Sequence, residues 1–495
     1  MRKISLLLAL GALAVQAWGL NVTTTSGNLA SAVTDHSITS LTVSGTLDAR
    51  DFRFIADSLR TVTTLDLSDV TIEAYSNVDE PVFGTTSSYP ALTIPSTAFF
   101  GMNFKSVTLP SQLRTVGFAA FAGCADLAEV TLPATVDSIG GYAYSGCNSL
   151  TTVAIPATVR ATGEGAFSRC AALASASVDC ATLGADAFKG CTALATVNLG
   201  TGVNTIGAGA FAGCTALQSP TVATPSAITG IGAEAFASSG VTEFNFKACT
   251  KLTAVGQWAF ANTGLTSIDL PESVESLGDG AFFYNTQLKQ LRLPASVVTI
   301  GDYVLAGSNA VANDTVLSRG LVKIGSYALY NWNRVAQLII PKTVESIGTK
   351  AMAGMTALKN LYAEPLTVPE SADSLWAGVD QSTVTLYVNS AAVSDYKAAE
   401  QWKEFKIIDD PTLNVTDVTA TAASVKAHFS GATLVVEASV PMSRVSIVTP
   451  EGILLNSIAN AGERAELDTQ NYAGRYYLVQ VVLEGGAKKT IKLVR

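Results

Sequence analysis

Apolar and polar positions along this chain repeat with a period of 21 to 25 residues, most often 23. Each repeat carries Ile-Gly-x-x-Ala-Phe or a close variant of it. Its glycine column comprises Gly117, Gly140, Gly163, Gly184, Gly207, Gly232, Gly256, Gly278, Gly301, Gly325 and Gly348. Four positions later stands an apolar column: Phe121, Tyr144, Phe167, Phe188, Phe211, Phe236, Phe260, Phe282, Leu305, Leu329 and Met352. A fixed period in this range predicts a solenoid, in which each coil stacks its apolar column on the next.

One repeat, residues 128–150, shows the elements that each coil should contain. Alternation of apolar and polar residues predicts a half-buried strand, which ends at Pro133 because proline has no N–H for a ladder. A second extended piece leads to the repeat glycine, which predicts a bend with positive φ or a close backbone approach. Tyr144, Cys147 and Leu150 then follow at intervals of three residues, which predicts a short helical or 3₁₀ turn. The predicted fold is therefore a β-rich α/β solenoid, with one parallel strand and a short helical turn per repeat.

The ends of the chain depart from the repeat. Residues 1–19 have the charged start, apolar core and small-residue cleavage site of a secretory signal. Residues 20–105 are predicted as an N-terminal cap with strands at 41–45 and 65–68 around a helix at 51–59. Such caps cover the first open coil of a solenoid.

The regular array is assigned to residues 106–358 and its C-terminal cap to 359–410, with an amphipathic helix from Val393 to Phe405. Asp409-Asp410-Pro411 is interpreted as a linker. In residues 411–495, short alternating strands separated by turn residues predict a small immunoglobulin-like β-sandwich.

Composition narrows the functional classes. The net charge is −9 and no basic stripe is present, which argues against binding of nucleic acid. Beyond the signal, no stretch approaches the length of a transmembrane helix. The two histidines, His36 and His428, fall in different predicted domains, so no histidine-based metal cluster or catalytic dyad is expected. Glycine pairs such as Gly207 and Gly209 lack the strand-to-helix context of a phosphate loop, so no cofactor is predicted.

Five of the seven cysteines stand three positions after the apolar column: Cys124, Cys147, Cys170, Cys191 and Cys214. Stacked in register, their side chains would point side by side rather than toward one another, which disfavours disulfides. They are predicted to be reduced and to pack as small buried hydrophobes.

Side chains that point outward from the predicted strands form the candidate binding surface. Its second half gains acids, amides, a guanidinium and two apolar residues, and the candidates are Glu243, Asn245, Asp269, Gln290, Arg292, Ile339 and Tyr362. Exposed aromatic and polar groups together are typical of contact surfaces. Glu243 and Asp269 could approach a glycosidase-like separation on adjacent coils, although we interpret them as solvated strand residues.

The unit L-x-x-V-x-L-P-x-x-V-x-x-I-G-x-x-A-F-x-G-C-x-x-L resembles the BspA-like leucine-rich repeat, and residues 195–217 fit it closely. The stretches around residues 41–72 and 386–408 resemble the caps of secreted members of that family. The C-terminal domain resembles sorting domains of type IX secretion in Gram-negative bacteria, through Val445–Ile447, Glu451-Gly452 and Gly474–Tyr477. The resemblance implies a cell-surface or released protein involved in adhesion, attached at the outer surface through its last domain.

Three functions are considered. The first is a non-enzymatic, exported module that binds an extracellular protein or glycan on its sheet face. The second is a structural stalk or spacer without a specific ligand. The third, a carbohydrate-active enzyme, would need a concave pocket with convergent polar groups, which repeats rarely form.

Overall fold

The computed structural model describes residues 19–308, 315–410, 425–449, 454–470, 476–483 and 488–494. The predicted signal, except Gly19, and the linker beyond Asp410 lie outside the described residues. The chain forms two compact units, which are Met1–Thr385 with Glu404–Lys406, and Leu386–Lys403 with Ile407–Arg495. The boundary between the two units falls at residue 386, whereas the predicted C-terminal cap of the solenoid ends at residue 410.

The first unit begins with a parallel sheet and two helices. The strands are Gly19–Thr24, Ser40–Leu47, Thr64–Ile72 and Ser106–Thr108, paired in that order. The helices are Leu29–Ala32 and Ala49–Ser58. Asp48 caps the second helix in a reciprocal arrangement with Asp51, which satisfies free N–H groups of the first turn. The predicted strands and helix are thus confirmed, and a hairpin of Tyr75–Ser76 and Ser88–Tyr89 follows them.

Most coils contribute to two strand ladders rather than to one, and the strands of the first ladder are divided among three sheets. The first ladder comprises Thr152–Ile155, Ser175–Val178, Thr196–Leu199, Thr221–Val222, Ser267–Asp269, Gln290–Arg292, Thr315–Val316, Gln337–Ile340 and Asn360–Ala363. The second comprises Thr93–Ile94, Thr115–Val116, Ser138–Ile139, Thr182–Leu183, Thr205–Ile206, Gly230–Ile231, Ala254–Val255, Ser276–Leu277, Thr299–Ile300, Lys323–Ile324, Ser346–Ile347 and Glu370–Ser371. All pairs in both ladders are parallel. The solenoid is confirmed, but the prediction of one strand per repeat is wrong, because the second extended piece is itself paired.

Hydrogen-bonded turns, not helices, follow the repeat glycine. Their amides donate to the next coil, as Phe121 N does to Ala143 O at 2.8 Å and Gly123 N to Ser145 O at 2.7 Å. We call this third set of contacts the turn ladder. Positions two and six after the repeat glycine have left-handed backbone, as at Tyr142 (φ 55°) and Gly146 (φ 72°), which interrupts a right-handed helix. The predicted helical turn is therefore wrong. Short 3₁₀ helices occur elsewhere, at Pro225–Ala227, Phe246–Ala248 and Gln381–Thr383.

The repeat glycines allow neighbouring coils to approach closely. A Cβ atom on Gly163 would lie 2.3 Å from the Gly141 nitrogen, and one on Gly184 would lie 2.2 Å from the Thr162 carbonyl oxygen. Neither glycine has positive φ. Of the two reasons considered for this column, close backbone approach is thus the one that applies.

The apolar column forms the centre of the solenoid, and all eleven of its side chains have 0% exposure. Successive rings are stacked nearly parallel. Phe121 and Tyr144 have centroids 5.1 Å apart with planes at 2°, and Phe188 and Phe211 are 5.6 Å apart at 4°. Each ring therefore packs against both neighbouring coils, which explains why a single repeat could not bury its apolar side alone.

Tyr144 is the column member with a polar group, and its hydroxyl is buried without a hydrogen-bond partner. Burial also raises the pKa of this phenol well above its usual value. Replacing Tyr144 with phenylalanine keeps the stacked ring and removes the uncompensated desolvation, so we expect unfolding free energy to rise by about 1 kcal/mol. Denaturant unfolding would measure this. Tyr142→Phe is the control, since its exposed hydroxyl bonds Glu164, and lower stability of the Tyr144 variant would contradict the assignment.

All seven cysteines are free and buried. The five ladder thiols donate to carbonyl groups of the preceding coil's apolar column, as Cys147 does to Phe121 O at 3.3 Å and Cys191 to Phe167 O at 3.1 Å. Where cysteine is replaced, Asn285, Ser308 and Trp332 donate to the corresponding carbonyls. In these coils the position holds a buried hydrogen-bond donor, whereas the predicted role was that of a small buried hydrophobe; Met355, which has no donor, occupies it in the last coil.

The second unit contains the helix Val393–Ala398 after the 3₁₀ turn Ser390–Ala392. The strands Thr385–Val388 and Lys406–Asp409 flank them along the chain, and each of these strands has residues in both units. The helix stops short of the predicted Phe405 because Ala399 is extended. Trp402 packs edge-on against Tyr396, with centroids 5.2 Å apart.

The rest of this unit is one antiparallel sheet. Its strands are Val425–Ser430, Thr433–Val448, Leu454–Asp468, Tyr476–Leu483 and Lys488–Val494. They enclose a cluster that includes Leu434, Val445 and Val479. A β domain is confirmed. Because Thr433–Val448 pairs with three other strands across a register shift after Glu437, the strands share one sheet rather than the two of an immunoglobulin-like sandwich. No helix in the described part of the chain has the length and hydropathy needed to cross a membrane.

Candidate ligand-binding surfaces

Part of the predicted strand-face site is brought together on adjacent coils. Asp269 and Arg292 are register partners, and Arg292 Nη1 lies 2.9 Å from Asp269 Oδ1. Arg292 Nη2 also contacts Glu272 Oε1 at 2.7 Å, while Lys247 Nζ lies 3.5 Å from Asp269 Oδ2. Hydrogen bonding to Asp269 raises the pKa of the Arg292 guanidinium. This network of two acids and two bases commits both Asp269 oxygens to ion pairs, so that carboxylate is not free to shuttle a proton.

The other predicted residues are distributed differently. Gln290 is exposed next to Ser267, and Glu243 and Asn245 are exposed in the irregular segment that precedes Phe246–Ala248. Ile339 is only 5% exposed, so the prediction that it offers an accessible apolar contact is wrong. Tyr362, its register partner, is half-buried. These last two belong to a separate pair of strands and do not join the Asp269–Arg292 network.

A second surface lies on the turn ladder, which contains none of the predicted binding residues. Six aromatic side chains from coils 256–331 form it, and we call it the aromatic face: Trp258, Phe283, Tyr284, Tyr303, Tyr327 and Tyr330. The rings form a continuous series of contacts. Trp258 meets Phe283 edge-on at 5.3 Å, Tyr303 and Tyr327 are stacked at 4.8 Å, and Tyr327 contacts Tyr330 at 5.6 Å between centroids.

Backbone geometry makes these aromatics costly at their positions. Trp258, Tyr284, Tyr303 and Tyr327 have φ between 54° and 58°. Left-handed backbone costs a bulky residue roughly 1–2 kcal/mol compared with glycine, which occupies the same turn position at Gly280. A Cβ atom on Gly280 would lie 2.1 Å from the Trp258 ring, so this indole covers the glycine. The same backbone conformation recurs in other coils, as at Ala119, Asp186 and Glu234, so it belongs to the repeat and inter-coil packing offsets part of its cost.

One end of the aromatic face opens into a pocket of about 420 Å³. It is lined by Tyr330, Asn331, Asn333, Lys350, Ala353, Gly354, Thr356, Ala377 and Gly378. The Lys350 ammonium lies 5.6 Å from the centroid of the Tyr327 ring, in a cation–π arrangement. The pocket thus combines one cation, two amides, a hydroxyl and an aromatic wall. Among the described residues, no group of three or more histidine, cysteine or acidic side chains is arranged to hold a metal ion.

A sequence signal for the aromatic face does exist. Each of the coils of Gly256, Gly278, Gly301 and Gly325 has at least one aromatic residue at position two, five or six after the repeat glycine. The corresponding positions after Gly117 and Gly207 hold only alanine and glycine. These turn positions lie outside the strand-facing columns that contain the predicted binding residues.

Comparisons with known proteins agree with this architecture. The family model of the BspA type leucine-rich repeat region matches in 6 copies, over residues 92–218, 175–285 and 281–373, which together exceed half of the chain. No curated protein matches this chain.

Among solved structures, a leucine-rich repeat protein from Bacteroides ovatus is 22% identical, covering 66% of this chain and 90% of its own with a TM-score of 0.50. A leucine-rich cell surface protein from Faecalibacterium prausnitzii is 20% identical, covering 59% and 92% with a TM-score of 0.32. A leucine-rich repeat protein from T. pallidum is 26% identical, covering 36% and 87% with a TM-score of 0.27. The first of these likenesses shows the fold alone.

Proposed function

Since the chain belongs to the BspA-type leucine-rich repeat family, we propose that it is an exported, non-enzymatic protein that binds an extracellular protein or glycan. The observation that supports this most is the aromatic face. Six contiguous aromatic side chains lie on one surface, where Tyr284 is exposed and the other five are half-buried. Apolar residues exposed singly are the normal case on a protein surface. Contact surfaces are enriched in tyrosine and tryptophan. A spacer without a ligand gives no reason for this concentration.

Binding of the mature full-length protein to immobilised matrix proteins and glycans tests the proposal. We expect saturable binding to at least one ligand, and we expect Trp258→Ala to weaken it by about tenfold or more, as for an aromatic anchor. Tyr142→Ala is the matched control, because Tyr142 has the same left-handed backbone and covers Gly165 outside the aromatic face. Absence of binding would favour the spacer, and release of cleaved saccharide would favour the enzyme.

The strand-face residues Glu243, Asn245, Asp269, Gln290 and Arg292 are a second candidate surface. Asp269 and Arg292 form an exposed ion-pair network with Lys247 and Glu272, although exposed ion pairs contribute little by themselves. Arg292→Gln in the same assay separates the two surfaces. If this variant loses the ligand while Trp258→Ala retains it, the strand face is the binding site.

We further propose that residues 411–495 direct export or attachment at the surface of a Gram-negative bacterium. Support comes from the separate apolar cluster of the described strands, which is independent of the repeat columns. Deleting residues 411–495 in the native host should leave the repeat unit's melting behaviour unchanged and cause the protein to accumulate in the periplasm. Normal surface display of the shortened protein would show that this segment has no sorting role.

A further inference from the structure

The pocket at the end of the aromatic face contains polar groups that the protein itself does not use. Asn331, Asn333 and Thr356 are exposed, and their side chains make no hydrogen bonds with other residues in the described part of the chain. Amides and hydroxyls both donate and accept, which matches the hydroxyl groups of a sugar. Small-ligand sites usually combine aromatic or apolar walls with a few such polar groups.

The positive charge of the pocket favours an anionic ligand. Lys350 is its one ionisable cation and no acidic residue lines it, although the chain as a whole carries a net charge of −9. None of the ion pairs within residues 19–308 and 315–410 includes Lys350. A carboxylate that entered the pocket would therefore meet an ammonium group without a competing acid, and such charge-assisted hydrogen bonds are the stronger kind.

The adjoining rings supply the complementary apolar contact. The C–H faces of a pyranose pack against aromatic rings, while its hydroxyls remain at the ring edges. Tyr330 belongs to both the aromatic face and the pocket, and Lys350 contacts the pocket and the Tyr327 ring. One sugar unit could therefore occupy the pocket while the next units lie along Tyr327, Tyr303 and Trp258.

We propose that the Lys350 pocket and the aromatic face bind a carboxylated saccharide. This inference rests on the proposed binding function and names its ligand class. Lys350 pairs with the sugar carboxylate, Asn331, Asn333 and Thr356 contact the hydroxyls, and the aromatic rings hold the flanking units. The carboxylate can belong to an internal uronic acid or to a terminal sialic acid.

The test uses the mature full-length protein in calorimetric titrations with oligogalacturonate, sialyllactose, and the neutral sugars cellotetraose and lactose. We expect tighter binding of a carboxylated probe than of its neutral counterpart, with affinity falling as salt is added. The probe that binds identifies an internal uronic acid or a terminal sialic acid as the source of the carboxylate. If neither carboxylated probe binds better than its neutral counterpart, the proposal is overturned.

Substitutions locate the site. Lys350→Gln should weaken binding of the carboxylated probe by about tenfold or more, since it removes one member of a charge pair, and leave the neutral sugar unchanged. Tyr303→Ala should weaken both. Lys189→Gln is the charge control, because Lys189 lies on the turn ladder outside the face. Equal affinities of Lys350→Gln and wild-type protein would overturn the proposal.

The outcomes also separate this inference from the proposed function. If the protein binds an extracellular protein and Trp258→Ala abolishes that interaction, while no saccharide binds, the binding function holds and the saccharide class is wrong. If neither a protein nor a saccharide binds, both fail. Lys350→Gln changes a surface side chain, so its melting temperature should match wild type and its result will report on binding rather than on folding.

Discussion

Replacing Phe211 with alanine is expected to lower the free energy of unfolding by about 3–5 kcal/mol, as for other large buried aromatic residues. The ring has 0% exposure. It is stacked between Phe188 at 5.6 Å and Phe236 at 5.2 Å, so its loss removes contacts from both neighbouring coils. Aromatic pairs contribute about 0.5–1.5 kcal/mol beyond the area that they bury. Denaturant unfolding of the full-length variant measures the change.

Phe118→Ala provides a control of the same chemical type. Phe118 is 52% exposed and contacts Tyr142 edge-on at the surface of the turn ladder. Its removal should change the unfolding free energy by less than about 1 kcal/mol, as for most surface substitutions. Equal effects of the two substitutions would mean that the apolar column does not carry the stability of the solenoid.

The solenoid core could be predicted because its signal is redundant. The glycine column and the apolar column each recur in eleven coils, and either column alone predicts the same stack of coils. The second strand ladder was harder to identify, because each of its strands is only two residues long, as at Thr205–Ile206. Such a strand is too short for alternation of apolar and polar residues to reveal it. Its pairing follows from the stacking of coils, which no single repeat displays.

The binding surfaces were less predictable because exposure depends on neighbouring coils and register. Ile339 follows the alternation of an outward-facing residue, yet it is buried beside Val316 and Tyr362 in the ladder. The register partner of Ile339 in the preceding strand is Val316, and alternation within one repeat does not reveal that pairing. The aromatic face lies on turn positions outside the strands, so the alternation of strand residues does not point to Trp258 or Tyr303.

The cysteine column shows what comparison among the repeats could have revealed. Five of its six replacements, Ser239, Thr263, Asn285, Ser308 and Trp332, differ in size and polarity but carry a hydrogen-bond donor, whereas the sixth, Met355, has none. Packing alone does not explain that shared property. In the structure, these side chains and the ladder thiols donate to carbonyls of the apolar column, as Cys214 does to Phe188 O at 3.2 Å. Buried carbonyl groups need such partners.

The largest effect is expected at alkaline pH. Burial raises the pKa of the Cys124 thiol from its usual 9.0 to about 12, and burial also raises the pKa values of Cys147 and Cys214. The unfolded thiols lose their protons above about pH 9, while the folded thiols keep theirs, so stability is complete below that pH and is lost as pH rises toward the folded values. Each thiol contributes about 1.4 kcal/mol per pH unit. Because the unfolded thiols are already half ionised at pH 9, these three should lower the unfolding free energy by about 7 kcal/mol between pH 9 and 11.

Serine substitution of Cys124, Cys147 and Cys214 isolates this contribution. A serine hydroxyl does not ionise in this pH range, and Ser308 already makes the equivalent bond to Phe282 O at 3.1 Å. Other titrating groups are shared by both proteins, so the triple variant should lose less stability than wild type between pH 9 and 11, as measured by denaturant unfolding. The same pH slope in both proteins would contradict thiol ionisation as the cause. Mass spectrometry of unfolded, alkylated wild-type protein should find the ladder thiols free, because any disulfide between them would remove the titrating groups.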